Sequence, residues 1–458
     1  MSTVRRVPWL VVGGGVSGLA AARALGSQAP GGLLVEASER FGGIVRSEDW
    51  RGGVLDLGPD GWVAAKPQIG ALCNELGLGP EVIAPLPSAT RLLAYTAAGL
   101  TPMPAGLKLT IPTSRAAARR IAAHDRHLAR RVLLEPLVTR KSWDSELADE
   151  SIGDFVRRRM GRRWAELVSL PILAGIHSGD PNELSVRAAF PLFVEAERRA
   201  GSLLSDAFAR RRGGDVSTFL SLRSGMQRLI DVLAAHASRG AELRCGDAVT
   251  RLDATVGGDV ILSLASGDRV QTARLLLATG PRVAAELLAG PAASLAELLA
   301  KIPHRSAHVV LLALPKDSVD HVLDASGFIQ LDRQHGGVVA ATFLSSKWEG
   351  RQPEGHVIVR AFLATGETFD ADRSSDQALA TRAFDELRPL LGITSDPTSY
   401  WVRRFVDATP QPIVGHRERM HHARELQRAH PWLTLVGAGY DGVGLGDAVR
   451  SAQDAARS

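Results

Sequence analysis

Cysteine is nearly absent: Cys73 and Cys245 are the only two in 458 residues. They cannot build a disulfide framework, and without Cys-x-x-Cys spacing a thiolate metal site is not expected; a reduced, intracellular compartment fits. The thirteen histidines contain no His-Glu-x-x-His pattern, so no catalytic metal is expected. Aromatic residues make up 5% and no nucleic-acid recognition motif occurs, which argues against a nucleic acid partner. No uncharged apolar run reaches roughly 18 residues, so no transmembrane helix is expected. The charged start runs straight into an apolar strand, so no signal peptide is expected either. What the chain does have is glycine, 46 residues of it, and a 45% hydrophobic content that can bury a large core in two or three units.

The glycines cluster informatively. Gly13-Gly14-Gly15-Val16-Ser17-Gly18 follows the apolar run Leu10-Val11-Val12 and precedes Leu19 to Leu25. This places a glycine turn between a buried strand and a helix. Gly13 permits the tight turn, Gly15 lets a pyrophosphate approach the backbone, and Gly18 lets helix and sheet pack closely. The helix start offers unpaired N–H groups and a positive dipole end. Glu36 ends the next apolar run, Leu33-Leu34-Val35, where it can accept ribose hydroxyls. The pattern reads as an adenine dinucleotide site.

The following residues favour FAD over NAD. Ala37-Ser38-Glu39-Arg40-Phe41-Gly42-Gly43 continues the acid into an Arg-x-Gly-Gly loop, with close-approaching backbone and a guanidinium for charge-assisted hydrogen bonds. Leu57-Gly58-Pro59-Asp60 reads as a loop passing the flavin, and Val249 is counted with the cofactor residues. At the C-terminus, Leu433 to Val436 reads as a strand, followed by a glycine loop containing Gly439, Val443, Gly444 and Leu445. A helix beginning near Val443 would aim its N–H groups at the flavin pyrimidine edge. No second dinucleotide fingerprint occurs, so electrons are expected to pass to oxygen or a quinone.

The expected fold class is α/β with α+β inserts: a discontinuous Rossmann-type FAD-binding domain (1–85, 215–281 and 405–458), a sheet-based substrate domain (86–105 and 282–404) and a mainly helical insert (106–214). Alternating runs at Ala307 to Leu314, Gly337 to Phe343 and His356 to Phe362 predict an antiparallel sheet. Lys+Arg exceeds Asp+Glu, 54 to 49. Arginines gather at 115–131, 157–163 and 198–212 with apolar residues interleaved at helical spacing. Such a surface is either simply solvated, or rests on an anionic membrane or guides an acidic substrate.

Over nearly its full length the chain resembles the protoporphyrinogen oxidase family, including its coproporphyrinogen-oxidising bacterial branch. The resemblance is carried by Gly175-Ile176-His177-Ser178-Gly179-Asp180 through Leu184-Ser185 and Phe190-Pro191, by Ser345-Ser346-Lys347, by Pro353 to Val357, and by Pro410 to His416. Ala438, Pro412 and His177 depart from the family's usual Asn, Tyr and aromatic residue. The resemblance implies six-electron oxidation of a porphyrinogen with oxygen, releasing hydrogen peroxide. Protoporphyrinogen IX is the first expectation and coproporphyrinogen III the second. An amine oxidase or carotenoid desaturase and a non-catalytic flavin- or porphyrin-binding protein are more distant alternatives. By the same resemblance Arg91 would bind a propionate, Leu331, Phe343 and Phe362 would sandwich the tetrapyrrole, and Gly175 would offer its carbonyl to pyrrole N–H groups. His177, inside the signature, is the one candidate for proton transfer. Peripheral membrane contact, a homodimer and hand-over to a chelatase are the further partner expectations.

Overall fold

The computed structural model describes residues 4–96, 99–103, 106–108, 110–124, 126–145, 148–177, 179–210, 219–331 and 336–457. Its organising element is a five-stranded parallel sheet in the order Ala241–Arg244, Gly32–Val35, Leu10–Val12, Leu275–Leu277, Leu433–Leu435. The three inner strands are buried on both faces, which is why their sequences are unbroken apolar runs. On one face lie helices Val16–Gln28, Gln227–Ala237 and Leu445–Arg457, packed through Leu19, Ala20, Leu229 and Ala452. On the other lie strands Val249–Ala254, Val260–Leu264 and Arg269–Thr272 with helices Pro281–Leu288 and Ala293–Ala300. The C-terminal helix starts at Leu445, two residues later than expected.

A seven-stranded sheet forms the second layer, in the order Ser399–Pro410, His304–Pro315, His356–Ala364, Gly337–Phe343, Gly327–Gln330, Leu93–Thr96, Gly99–Pro102. All its pairs are antiparallel except Gly327–Gln330 with Leu93–Thr96. Side chains alternate between faces. Val310, Leu312, Val359 and Ala361 meet helix Asp376–Leu391, while Val309, Leu311 and Ile358 meet Leu55 and Leu57 from the first layer. That helix is capped by Ser375, whose hydroxyl accepts from the Ala378 N–H, and ends at Gly392 in the left-handed region. The expected domain boundary between residues 404 and 405 lies within the strand Ser399–Pro410.

The helical unit packs around Trp143, Phe155 and Trp164. Part of its arginine content is internal. Arg159 is fully buried on Glu135 and Glu197, and Arg158 pairs with Glu150 and Glu197. Burying these charges is tolerable only because each is paired and hydrogen-bonded. For these two arginines the expected surface role is replaced by a structural one. Among the described residues, no helix is long and apolar enough to cross a membrane.

Candidate cofactor and substrate site

The glycine turn sits at the C-terminal edge of the parallel sheet. A Cβ on Gly18 would overlap the Gly13 carbonyl oxygen and stand 3.0 Å from its carbon, and Gly13 itself has φ +105°. Gly15 is different: the space where its Cβ would point is open to 4 Å. It is the N-cap of helix Val16–Gln28, and no side chain caps that helix. The first-turn N–H groups, including those of Val16, Ser17 and Gly18, are therefore left for an external acceptor.

Glu36 accepts from the Gly14 N–H at 2.6 Å, and from Ser38 N–H at 2.9 Å and Ser38 Oγ at 2.6 Å. An ionised carboxylate has about four acceptor positions, so capacity remains for a ribose hydroxyl. Beside it the Gly246 N–H donates to Ser38 O and the Asp247 N–H to Glu36 O, which brings the start of Val249–Ala254 against the Glu36–Ser38 segment. Ala37 is exposed there. Thr279 Oγ1 is buried without a hydrogen-bond partner next to Gly13. Open space above Gly15, an uncapped helix start, a fixed acid and an orphaned hydroxyl together fit the diphosphate and ribose of FAD.

The structure brings the remaining cofactor segments onto this turn. The Gly42 N–H donates to Gly14 O at 2.8 Å, and Gly15 and Gly42 form a parallel bridge. Arg40 holds the loop in shape: Nη1 donates to Phe41 O and Val45 O, and Nη2 to Gly43 O at 2.8 Å. Its guanidinium is thus engaged by the loop itself, where the sequence pointed to the pyrophosphate. A Cβ on Gly58 would overlap Ile44 O, so the Leu57–Asp60 loop rests directly on the Arg-x-Gly-Gly loop. At the C-terminus the Gly439 N–H donates to Gly442 O at 2.9 Å and the Gly444 N–H to Asp447 Oδ2 at 3.3 Å, while Asp447 also pairs with Lys66. Val443 and Leu445 lie in the same partly buried segment. His416, buried beside this loop, is pushed down to about 4 by burial and by Arg419, and is neutral near pH 7.

Asp60 joins the two layers. Lys347 Nζ donates to its Oδ2 at 2.7 Å, Trp348 Nε1 to the same oxygen at 3.0 Å, and Arg360 Nη2 to Oδ1 at 3.0 Å. Burial opposes ionisation, but the Arg360 and Lys347 charges hold the carboxyl well below the usual range. Arg360 also reaches Gly58 O at 2.7 Å. Lys347 and Arg360 were not identified as site residues from the sequence, because their partner lies almost 300 positions away.

Phe362, Ala340 and Ile329 line up across three strands on the face that meets the first layer, and Ala94 continues the row. Leu331, whose N–H donates to Tyr95 O at 3.2 Å, directly follows the strand of Ile329. Phe343 is a correction. It pairs with Val359 in the strand register, is 0% exposed, and packs with Phe328 and His321 on the opposite face of the sheet, toward helix Asp376–Leu391. Phe343 and Phe362 therefore cannot sandwich one ligand. Arg91 is exposed and paired with Asp324, so a propionate there would have to displace a carboxylate. Gly175 falls in the last turn of helix Leu170–His177, which lies against strand Gly327–Gln330; carbonyls there lack helical partners. The side chain of His177 and all of Ser178 lie outside the described residues.

The family model described as flavin containing amine oxidoreductase matches residues 16–458. The chain belongs to this family. Its cofactor is FAD, in keeping with the fit of the turn. Among curated relatives it is 31% identical to a coproporphyrinogen III oxidase of Propionibacterium freudenreichii subsp. freudenreichii, over 98% of this chain and 89% of that protein. It is 30% identical to the Homo sapiens protoporphyrinogen oxidase, over 98% of this chain and 97% of that one. Among solved structures, an Exiguobacterium sp. 255-15 protein described provisionally as a protoporphyrinogen oxidase superposes with TM-score 0.85 at 28% identity, covering 100% and 99% of the two chains. Cyclohexylamine oxidase from Brevibacterium oxydans, at 17% identity and TM-score 0.67 with 98% of each chain covered, shares the fold.

Proposed function

We propose that this flavoenzyme oxidises a porphyrinogen to the corresponding porphyrin, with dioxygen as the terminal electron acceptor. The reading is carried by similarity to porphyrinogen oxidases along nearly the whole chain. The apolar row Phe362–Ala340–Ile329 suits a flat macrocycle. Bound FAD supplies a two-electron acceptor that dioxygen can reoxidise. The chain's own residues do the rest. The apolar row and Leu331 hold the macrocycle by burying its faces, the carbonyl of Gly175 accepts from pyrrole N–H groups, and Arg91 exchanges Asp324 for a propionate. Six electrons and six protons leave the macrocycle, and three dioxygen molecules become three hydrogen peroxide.

Protoporphyrinogen IX is the first reading. Arg360 on this face is committed to Asp60, and Arg91 has to be won from Asp324, so neither is free for one of four propionates. Coproporphyrinogen III is the second reading, favoured by the net charge of +5 and by the Propionibacterium relative. Steady-state turnover of both porphyrinogens, followed by porphyrin fluorescence with peroxide counted alongside, decides between them. Three peroxides per porphyrin support the class. An amine or polyene that reduces the flavin anaerobically while both porphyrinogens fail overturns it.

An anionic membrane is the proposed partner of the helical unit, where Leu133, Leu134, Leu137 and Leu167 are exposed among the exposed Arg130, Arg162 and Arg163. Leu137→Glu should weaken flotation with phosphatidylglycerol vesicles; binding equal to the parent refutes that face. A second copy of the chain and a chelatase that receives the porphyrin are further partner proposals of the same reading.

A further inference from the structure

Arg403 places its guanidinium over the Phe405 ring, 5.4 Å from the centroid. It lies on the edge strand Ser399–Pro410, opposite Val309, which in turn is opposite Phe362, so it shares the face that meets the first layer. Its Nη2 is 3.4 Å from Gly43 O, the same oxygen that Arg40 Nη2 reaches at 2.8 Å. Two guanidiniums on one neutral carbonyl leave positive charge uncompensated. Arg46 adds a third guanidinium, whose ion partner is Glu48. Glu36, the other nearby carboxylate, is already held by Gly14 and Ser38. Burial first, then the charge of Arg46, lowers the Arg403 guanidinium from its ordinary range, with Glu48 opposing; Arg40 is lowered by burial, Arg403 and Arg46. Among the described residues no carboxylate forms an ion pair with Arg403, and its Nε is buried without a hydrogen-bond partner.

An anion could be met close by. A Cβ on Gly43 would stand 3.4 Å from Gly15 Cα, and the space beyond Gly15 is open. Arg40 and Arg403 thus meet on the Gly43 carbonyl, one residue from the Gly42 that bridges to Gly15 at the uncapped helix start. We propose that Arg403 is a ligand of the FAD diphosphate, reaching it from the seven-stranded sheet while the glycine turn holds it from the parallel one. The cofactor then fastens the two layers together, and its retention depends on their docking. The proposal rests on FAD as cofactor and is independent of which substrate is oxidised.

The test is FAD binding by the apoprotein, measured by flavin fluorescence quenching, together with the 31P resonances of bound FAD. Arg403→Gln should raise the Kd for FAD about 10- to 100-fold, the range of a lost charge-assisted hydrogen bond, and displace the diphosphate resonances. Arg403→Lys keeps the charge but loses the fork, and should give a smaller rise with displaced resonances; it decides the matter alone if the glutamine variant does not fold. A Kd within threefold of the parent overturns the proposal. So does weakened binding with unmoved 31P resonances, which would mean that Arg403 only props up the Gly43 loop. An unchanged Kd with a raised KM for porphyrinogen would assign the guanidinium to a substrate carboxylate instead, and also overturns it.

Discussion

Gly15 and Gly18 stand three residues apart in one motif, and the geometry separates what each does. Gly15 has φ −73° and ψ −177°, extended backbone open to any residue, and nothing lies within 4 Å of the place its Cβ would take. Gly15→Ala should therefore leave the apoprotein folded. The alanine restricts the unfolded chain, a gain of about 0.4–1 kcal/mol. Against this, alanine is a poorer N-cap than glycine, a loss of similar order. The two nearly cancel, and the apoprotein should unfold within about 1 kcal/mol of the parent. FAD binding should respond quite differently. The new methyl occupies the space through which the diphosphate approaches the helix N–H groups. Losing even one hydrogen bond to a charged group costs about 1.5–3 kcal/mol, or roughly 10- to 100-fold in Kd. Gly18→Ala is the contrasting arm. Its Cβ meets the Gly13 carbonyl, which is backbone and cannot step aside, so stability and FAD binding should fail together. Urea unfolding of the two apoproteins, paired with flavin titration, reads both quantities. A Gly15→Ala protein that binds FAD as the parent does would refute the placement of the diphosphate. One that loses its fold would refute the claim that the space is empty.

The other expectations concern the layers around that turn. Asp60→Asn leaves Arg360 and Lys347 without their counter-charge and should destabilise the protein by about 3–5 kcal/mol in urea unfolding; a loss under about 1 kcal/mol would dismiss Asp60 as the tie between layers. His416, with its folded pKa depressed to about 4, binds fewer protons than in the unfolded chain, so stability should fall as pH drops from about 6.5 toward 4, by about 3 kcal/mol. His416→Gln should flatten that dependence, and an unchanged slope would count against it. Phe343→Ala should cost about 3–5 kcal/mol of stability with little change in KM, whereas Phe362→Ala should raise KM at little cost in stability; the reverse pattern would restore Phe343 to the substrate face. Asp324→Ala should lower KM for the porphyrinogen by freeing Arg91, and Arg91→Ala should raise it; KM values unmoved in both would remove Arg91 from propionate binding.

The cofactor end of the molecule was legible because its chemistry is local. A tight turn, a close phosphate approach and a helix start are all written within six residues, Gly13 to Gly18, and Glu36 follows at a spacing set by one helix and one strand. The inner strands were equally plain, since a strand buried on both faces has to be apolar throughout. Arg40 holds the carbonyls of its own loop, and a guanidinium near a glycine loop can serve the ligand or the loop's carbonyls; the spacing does not say which.

What the sequence could not yield is register. Phe343 and Phe362 both end alternating runs, and each run by itself is compatible with either face. The faces are fixed only by pairing: Phe343 stands opposite Val359, three residues from Phe362, and an odd separation along a strand puts two side chains on opposite faces. The irregularity between Val338 and Ala340 shifts the phase once more within the partner strand, so counting along it from either end gives different answers. The same limit hid Arg403. Its place in the cross-strand row with Val309 and Phe362 depends on two pairings between segments far apart in the chain, one of them interrupted by a bulge after Arg305. Local chemistry therefore points to a diphosphate at the Gly13–Gly18 turn, while the residues that the second layer brings toward that turn follow only from how that layer is stitched.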